Sequence, residues 1–286
     1  MARVVRDSYV SQALLCVLML GFLKVVVASW RTSLVPYELQ MCPPTNPNVH
    51  YRYGVSQMQG RRPYMEDRHT AVAELNGDSS HSFYGVFDGH GGEGAANYCV
   101  QAMCHNVIRE PSFAKDPVAA LKKGFLRTDQ ENSEDGSTAV AVLAQGDNLY
   151  IAHAGDSRAI LVHSTGKVTA LTSDHKPNRP DEKKRVQDLG GSVVFWGVWR
   201  PFVIAEPEVK EHKRTSNDWF LIVASDGVWD TITNDDAASI VMKYNDVQDA
   251  AKHLMEEAYA RGSLDNICAM VIDLRVEKNQ CIKKDA

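Results

Sequence analysis

The 286-residue sequence predicts an α+β fold in which antiparallel sheets carry helices on their outer faces. Two observations predict it. Many short apolar runs are joined by turns too brief for a crossover, which implies antiparallel hairpins. The helical patterns are few and grouped instead of alternating with strands, which argues against a doubly wound sheet. A hydrophobic fraction of 44% is enough to build a sizeable core. The formal net charge of -5, from 36 acidic and 31 basic residues, gives no reason to expect a nucleic-acid partner. The six cysteines, at 16, 42, 99, 104, 268 and 281, form no Cys-x-x-Cys pair and no zinc spacing. Cys99 and Cys104 read as buried free thiols, so a reduced compartment is expected for the main domain.

Residues 1–30 form a hydrophobic segment. The run from Ala13 to Trp30 is broken by Lys24, and its uninterrupted core is short for a span of about 20 residues. A membrane anchor with an intracellular catalytic domain is favoured. A signal peptide cleaved near Val26-Val27-Ala28, which would send the chain into the secretory pathway, is the alternative; a cytoplasmic protein is the third reading. Arg3 and Arg6 on one flank and Lys24 and Arg31 on the other leave the orientation open. Residues 31–50 carry Pro36, Pro43, Pro44 and Pro47 and read as a linker. The folded domain is assigned to 51–276, with 277–286 as a tail.

Within that domain, strands are expected at Tyr53–Met58, His69–Leu75, Ser82–Phe87, Thr138–Ala144, Asn148–Ala154, Ser157–His163, Lys167–Leu171, Ser192–Trp196, Trp219–Ser225 and Ile267–Leu274. Gly146-Asp147-Asn148, Ala154-Gly155-Asp156 and Ser164-Thr165-Gly166 supply turns. A first helix carries Ala95, Ala96, Cys99, Val100, Met103 and Val107 on one face and stops at Pro111. A second opens with Pro117 at its first position. A third is capped by Asn234, with Ala237, Ile240, Val241 and Tyr244 inward. A fourth is capped by Asp246 and stopped by Gly262.

The chemistry lies where apolar strands meet acidic turns. Asp88-Gly89 follows Phe83–Phe87, Asp226-Gly227 follows Phe220–Ser225, and Asp265-Asn266 precedes Ile267–Leu274. Asp156 lies between two strands, and Glu66 and Asp67 precede another. If these strand ends meet, several carboxylates share a small volume and cannot all stay ionised unaided. A hard divalent cation resolves that, and oxygen-only ligands select magnesium or manganese over zinc. The plainer alternative is that each acidic residue caps its own turn. For any one site that alternative is preferred; for Asp88, Asp226 and Asp265 together, metal is preferred.

Gly89-His90-Gly91-Gly92-Glu93-Gly94 also fits the dinucleotide fingerprint, with Glu110 near the ribose-binding distance. Asp88 would press a carboxylate towards a pyrophosphate, and no clear βαβ continuation follows. The metal reading is therefore preferred.

With those residues in hand, the chain resembles the metal-dependent, type-2C class of serine/threonine protein phosphatases. The matching stretches are Gln59–Arg68, Phe87–Gly92, Gly136–Ala139, Gly155–Arg158, Asp174–Pro177, Gly190-Gly191, Ala224–Asp230 and Gly262–Asn266. They occur in family order from about Tyr53 to Arg275. The spacer Gly191–Arg200 looks most like plant and protist branches and a membrane-anchored animal member, which supports the anchor.

The resemblance implies an antiparallel β-sandwich flanked by α-helices, with two Mn2+ or Mg2+ ions at one end and a weak third. Carried over by motif, Asp88 would bridge the ions, Gly89 would ligate through its carbonyl, and Asp226 and Asp265 would complete the inner set. Glu66 and Asp67 would ligate or hold metal-bound water, and Asp156 would belong to the weak third site. Arg62 would grip the substrate phosphate, as a guanidinium suits two phosphate oxygens; Arg61 is off by one in spacing. His90 would protonate the departing serine or threonine oxygen, with a plain hydrogen-bonding role as the alternative. The implied nucleophile is a two-metal-activated water, the partners are phosphoprotein substrates in signalling, and a monomer is expected.

The match breaks after Arg200. Pro201–Glu208 follows at once where the family expects a glycine turn, a strand and a Gly-Asp element. A stretch longer than a dozen residues is absent, and one strand or hairpin with it. An exon-skipped product or incomplete gene model is the hypothesis. It leaves a second reading open: an impaired family member that binds phosphoproteins as a regulatory module.

Overall fold

The structure is a computed structural model that describes residues 51–130, 135–176, 178–188 and 205–275, all within the compact unit Leu39–Ala286. The hydrophobic segment 1–30, the linker 31–50, the strand expected at Ser192–Trp196, the break after Arg200 and the tail 277–286 lie outside the described residues. Among the described residues no helix is long and apolar enough to cross a membrane.

In chain order the strands are β1 (Arg52–Met58), β2 (Arg68–Val72), β3 (His81–Phe87), β4 (Gly89–His90), β5 (Gly136–Ser137), β6 (Ala139–Gln145), β7 (Asn148–Ala154), β8 (Arg158–His163), β9 (Val168–Ala170), β10 (Glu208–Lys213), β11 (Asp218–Ala224) and β12 (Ile267–Asp273). The helices are α1 (Gly94–Ile108), α2 (Pro117–Asp129), α3 (Pro180–Asp188), α4 (Asp226–Trp229), α5 (Asn234–Val241) and α6 (Val247–Ala260). Among the described residues two five-stranded sheets form, in the orders β1-β12-β11-β8-β9 and β10-β7-β6-β3-β2, and β4 pairs with β5 in a two-stranded ribbon. Their pairings are antiparallel, as the short turns require.

The two large sheets face each other across one core. Tyr84, Val86, Val142 and Ile151 from one meet Leu161, Leu221, Val223 and Met270 from the other. The opposite faces are also covered. Ile160, Phe220, Ile222 and Ala269 pack under α4, α5 and α6. Phe83, Phe87, Ala141 and Leu143 pack under α1 and α2. Side chains alternate between the faces of a strand. A strand buried on both sides therefore reads as a continuous apolar run, which is why β3, β6, β11 and β12 were legible.

Local chemistry explains the helix ends. The Asp116 carboxylate accepts from Ala119 N–H at 2.9 Å, with Pro117 in the first turn of α2. Asp246 accepts from the N–H groups of Gln248 and Asp249 at the start of α6, and Gly262 follows its end at φ +96. The cap of α5 is Thr233, not Asn234. The Thr233 hydroxyl accepts from Asp236 N–H at 3.1 Å, and Asn234 Oδ1 instead accepts from Arg158 Nη1 at 2.8 Å.

Five elements escape the sequence pattern, among them β4 and β5, two residues each and too short to show alternation. β10 is a polar edge strand with no fully buried residue, so it shows no apolar alternation; pairing with β7 creates it. α3 is a strongly polar helix. α4 spans four residues, too short for a helical period. β2 also ends at Val72, short of the expected Leu75, because the chain turns there and Leu75 bridges Asp78.

Candidate metal and phosphate site

Strand register gathers the acidic turns at one end of the sandwich. Arg68 pairs with Phe87, which sets Asp67, just before β2, beside Asp88, just after β3. Ala224 at the end of β11 pairs with Ala269 of β12 and with Arg158 of β8. Asp226, Asp265 and Asp156 thus leave their strands at the same edge. The carboxylates act on one another electrostatically: Asp88 is influenced by Asp67, Asp226, Asp265 and Asp156.

Backbone approach is close here. Gly227 lies so near Asn266 that a Cβ on it would stand 1.9 Å from the Asn266 carbonyl oxygen. Gly60 turns at φ +64, and a Cβ there would meet the Asp265 carbonyl oxygen at 2.1 Å. Larger residues would wedge apart the segments that carry the carboxylates.

Asn266 stitches the loop before β2 to the start of β12. Its Oδ1 accepts from Glu66 N–H at 2.7 Å, and its Nδ2 donates to the carbonyls of Gln59 and Tyr64 at 2.7 and 2.8 Å. Asp67 is buried, and its Oδ2 accepts from the Ser225 hydroxyl at 2.6 Å. The Asp88 carbonyl accepts from Thr138 N–H at 2.8 Å, and the Thr138 and Ser157 hydroxyls share a bond of 2.7 Å. These bonds hold the backbone that carries the carboxylates.

That leaves charge uncompensated. Burial first, and neighbouring carboxylates after it, push Asp67 up to about 7 and Asp226 up to about 8. The same causes raise Asp88 well above its ordinary range. Burial also raises Asp156, against the pull of Lys176. Among the described residues Asp226 Oδ1, which is buried, has no hydrogen-bond partner. A buried carboxylate oxygen without a protein partner among raised carboxylates fits a bound cation. The donors are all oxygen, the set that suits magnesium or manganese. Among the described residues, no three of these carboxylates bring ligand atoms within 4.8 Å of one another; His153, His175 and Glu208 do.

Two polar side chains stand at the rim. Arg62 is half exposed and donates from Nη2 to Asp265 Oδ2 at 2.5 Å. Arg61 lies over the Tyr259 ring at 5.5 Å, so its guanidinium is engaged elsewhere. His90 is exposed on β4, opposite Gly136. Glu66 is partly buried beside Asp67.

The dinucleotide pattern does not form its site. Asp135 accepts from the N–H groups of Gly94 and Ala95 at the start of α1, at 2.5 and 3.2 Å, where a pyrophosphate would sit. Glu110 pairs with Arg127 at 2.7 Å, and α1 leads to α2 instead of a parallel strand. The capping bonds of Asp135 join positions 41 and 40 residues apart, beyond any local pattern.

A family profile described as protein phosphatase 2C matches residues 51–267. A relative named probable protein phosphatase 2C 59, from Arabidopsis thaliana, is 38% identical over 79% of this chain and 80% of its own length. A rice relative, probable protein phosphatase 2C 7, is 38% identical over 77% of this chain and 64% of its own length. Among solved structures, a serine-threonine phosphatase 2C from Toxoplasma gondii superposes with a TM-score of 0.71, at 22% identity, over 84% of this chain and 98% of its own.

Proposed function

Given that the chain belongs to the protein phosphatase 2C family, we propose that it hydrolyses phosphoserine and phosphothreonine in proteins with Mn2+ or Mg2+ held by the acidic cluster. The observation that carries this reading is the gathering of Asp67, Asp88, Asp226, Asp265 and Asp156 at one edge, with Asp226 Oδ1 buried and unpartnered. Asp88, Asp226 and Asp265, with the Gly89 carbonyl, would hold a pair of ions. Glu66 and Asp67 would ligate or orient water beside them, and Asp156 would serve a weak third ion. When bound, such ions supply Lewis acidity and lower the pKa of water.

The chain's own groups account for the rest. The Arg62 fork reaches the rim and can donate to two phosphate oxygens. Asp265 holds that fork in place before substrate arrives. His90 stands exposed two residues after Asp88 and would give a proton to the departing seryl or threonyl oxygen. The buried floor of β3, β11 and β12 keeps the carboxylates fixed, so little reorganisation accompanies reaction.

Hydrolysis of an aryl phosphate and of a phosphothreonine peptide by the full chain, with manganese and with EDTA, tests the proposal. Turnover that requires manganese and is lost in Asp226→Asn supports it. Turnover unchanged by chelation refutes it.

A further inference from the structure

Among the described residues, the exposed large hydrophobic side chains are Tyr64 at 72%, Leu264 at 68% and Leu126 at 41%. Lone exposed hydrophobics are ordinary on a protein surface, so position decides what they mean. Leu126 lies on α2, which carries none of the acidic turns. Tyr64 and Leu264 flank the Arg62–Asp265 pair. Tyr64 comes two residues after Arg62, and Leu264 directly precedes Asp265. Their segments run side by side: Asn266 Nδ2 donates to the Tyr64 carbonyl at 2.8 Å, and Asn266 Oδ1 accepts from Glu66 N–H at 2.7 Å.

Both backbones are pinned while both side chains face solvent. The Arg62 carbonyl accepts from Gln59 Nε2 at 2.8 Å. Pro63 has one fixed dihedral and narrows those of Arg62. Met65, next after Tyr64, is buried, and its carbonyl accepts from Arg68 Nη1 at 2.7 Å. On the other segment Ser263 is buried, and its N–H donates to the Ala258 carbonyl at 3.1 Å. A tyrosine or leucine held on such a backbone loses little freedom when a ligand covers it.

We propose that Tyr64 and Leu264 grip the polypeptide beside the phosphoresidue, so that the preferred substrate carries large apolar side chains next to, or one removed from, its phosphoserine or phosphothreonine. The inference rests on the phosphatase reading of the site and names the class of peptide it takes. Arg62 fixes the phosphate and with it the register of the peptide. The Cα atoms of Arg62 and Tyr64 are at most about 7 Å apart, and those of Leu264 and Asp265 about 3.8 Å. An extended peptide advances about 3.3 Å per residue. Side chains flanking the phosphate therefore come within reach of the ring and the leucine, while the phosphate keeps the guanidinium.

Equilibrium binding to the full chain in manganese tests this. The probes are two fluorescent peptides with a phosphonate in place of phosphoserine, which cannot be hydrolysed. One carries leucines at the flanking positions and the other carries serines. Anisotropy should give the leucine peptide a Kd roughly tenfold lower than the serine peptide, near the low end of what burying an apolar side chain gives. That ratio should fall to near unity in the double variant Tyr64→Ser, Leu264→Ser and keep the parent value in Leu126→Ser. Both peptides meet the same sample, so the ratio does not depend on the folded fraction. A parent that binds neither peptide, or both alike, overturns the proposal, as does a double variant that keeps the parent ratio. A parent that sediments as a dimer beside a monomeric double variant also overturns it, because the two side chains would then cover a second copy. Failure of the phosphatase reading looks different: no turnover of the matching phosphoserine peptides in manganese, with the binding ratio intact, would refute hydrolysis and still support the grip.

Discussion

The Ser225 hydroxyl donates to Asp67 Oδ2 at 2.6 Å and accepts from Cys268 N–H at 3.0 Å. One buried hydroxyl thereby ties the segment before β2 to the ends of β11 and β12. Ser225→Ala would leave a carboxylate oxygen and a backbone N–H without that partner. The expected cost is about 1–3 kcal/mol, a drop of several degrees in Tm by calorimetry. A Tm within one degree or so of the parent's would mean that water or rearrangement replaces the bond.

The acidic cluster opposes folding when no ion balances it. Asp67, at about 7, and Asp226, at about 8, bind protons in the folded chain that the unfolded chain releases near 4. Stability in chelator should therefore fall as pH rises towards about 8. His153 and His175, lowered by burial, act in the opposite sense, but only below the ordinary histidine value of about 6.5. The window from pH 6.5 to 7.5 lies above the ordinary histidine value and below that of the buried thiols Cys99, Cys104 and Cys268, which burial raises, so there the carboxylates dominate. Chemical denaturation in EDTA across it should show a decline, and a flat or rising curve would contradict the electrostatic account.

Asp226→Asn separates stability from activity. The amide removes a charge that its neighbours repel, so in EDTA at pH 8 the variant should melt at or above the parent. Its manganese-dependent turnover should fall by roughly 100-fold or more. A variant that melts well below the parent in EDTA would show that Asp226 is held by a partner and not repelled.

Arg62→Lys keeps the charge and loses the fork. A phosphopeptide KM raised roughly 20-fold is expected, about 1.8 kcal/mol, within the range of about 1.5–3 kcal/mol for hydrogen bonds to charged groups. Arg61→Lys, at a side chain stacked on Tyr259, should leave KM near the parent value. Equal effects at both positions would point to a general basic field and not to a phosphate clamp.

His90→Asn distinguishes proton donation from a plain hydrogen bond. A seryl alkoxide is a poor leaving group and needs a proton, whereas a nitrophenolate does not. Phosphopeptide turnover should fall roughly 100-fold, with a much smaller loss on the aryl phosphate. Equal losses on both substrates would exclude the acid role.

The acidic turns were visible in the chain because each abuts a strand buried on both faces, and such strands announce themselves as unbroken apolar runs. Asp88 after Phe83–Phe87 and Asp226 after Phe220–Ser225 are the plainest cases. β10 was not visible. Its residues are polar, and only pairing with β7 makes them a strand. Asp135 gave no helix-capping signal because it caps from 40 residues away, and capping patterns are local.

Residue order was enough for the strand-flanked carboxylates, the antiparallel class and the family likeness, since each depends on neighbours in the chain. Register and packing settled the rest. Ala224 opposite both Ala269 and Arg158 brings Asp226, Asp265 and Asp156 to one edge, and Glu208 opposite His153 completes a cluster with no local motif. Those pairings come from burying two sheet faces at once, a condition met only when distant parts of the chain fold together.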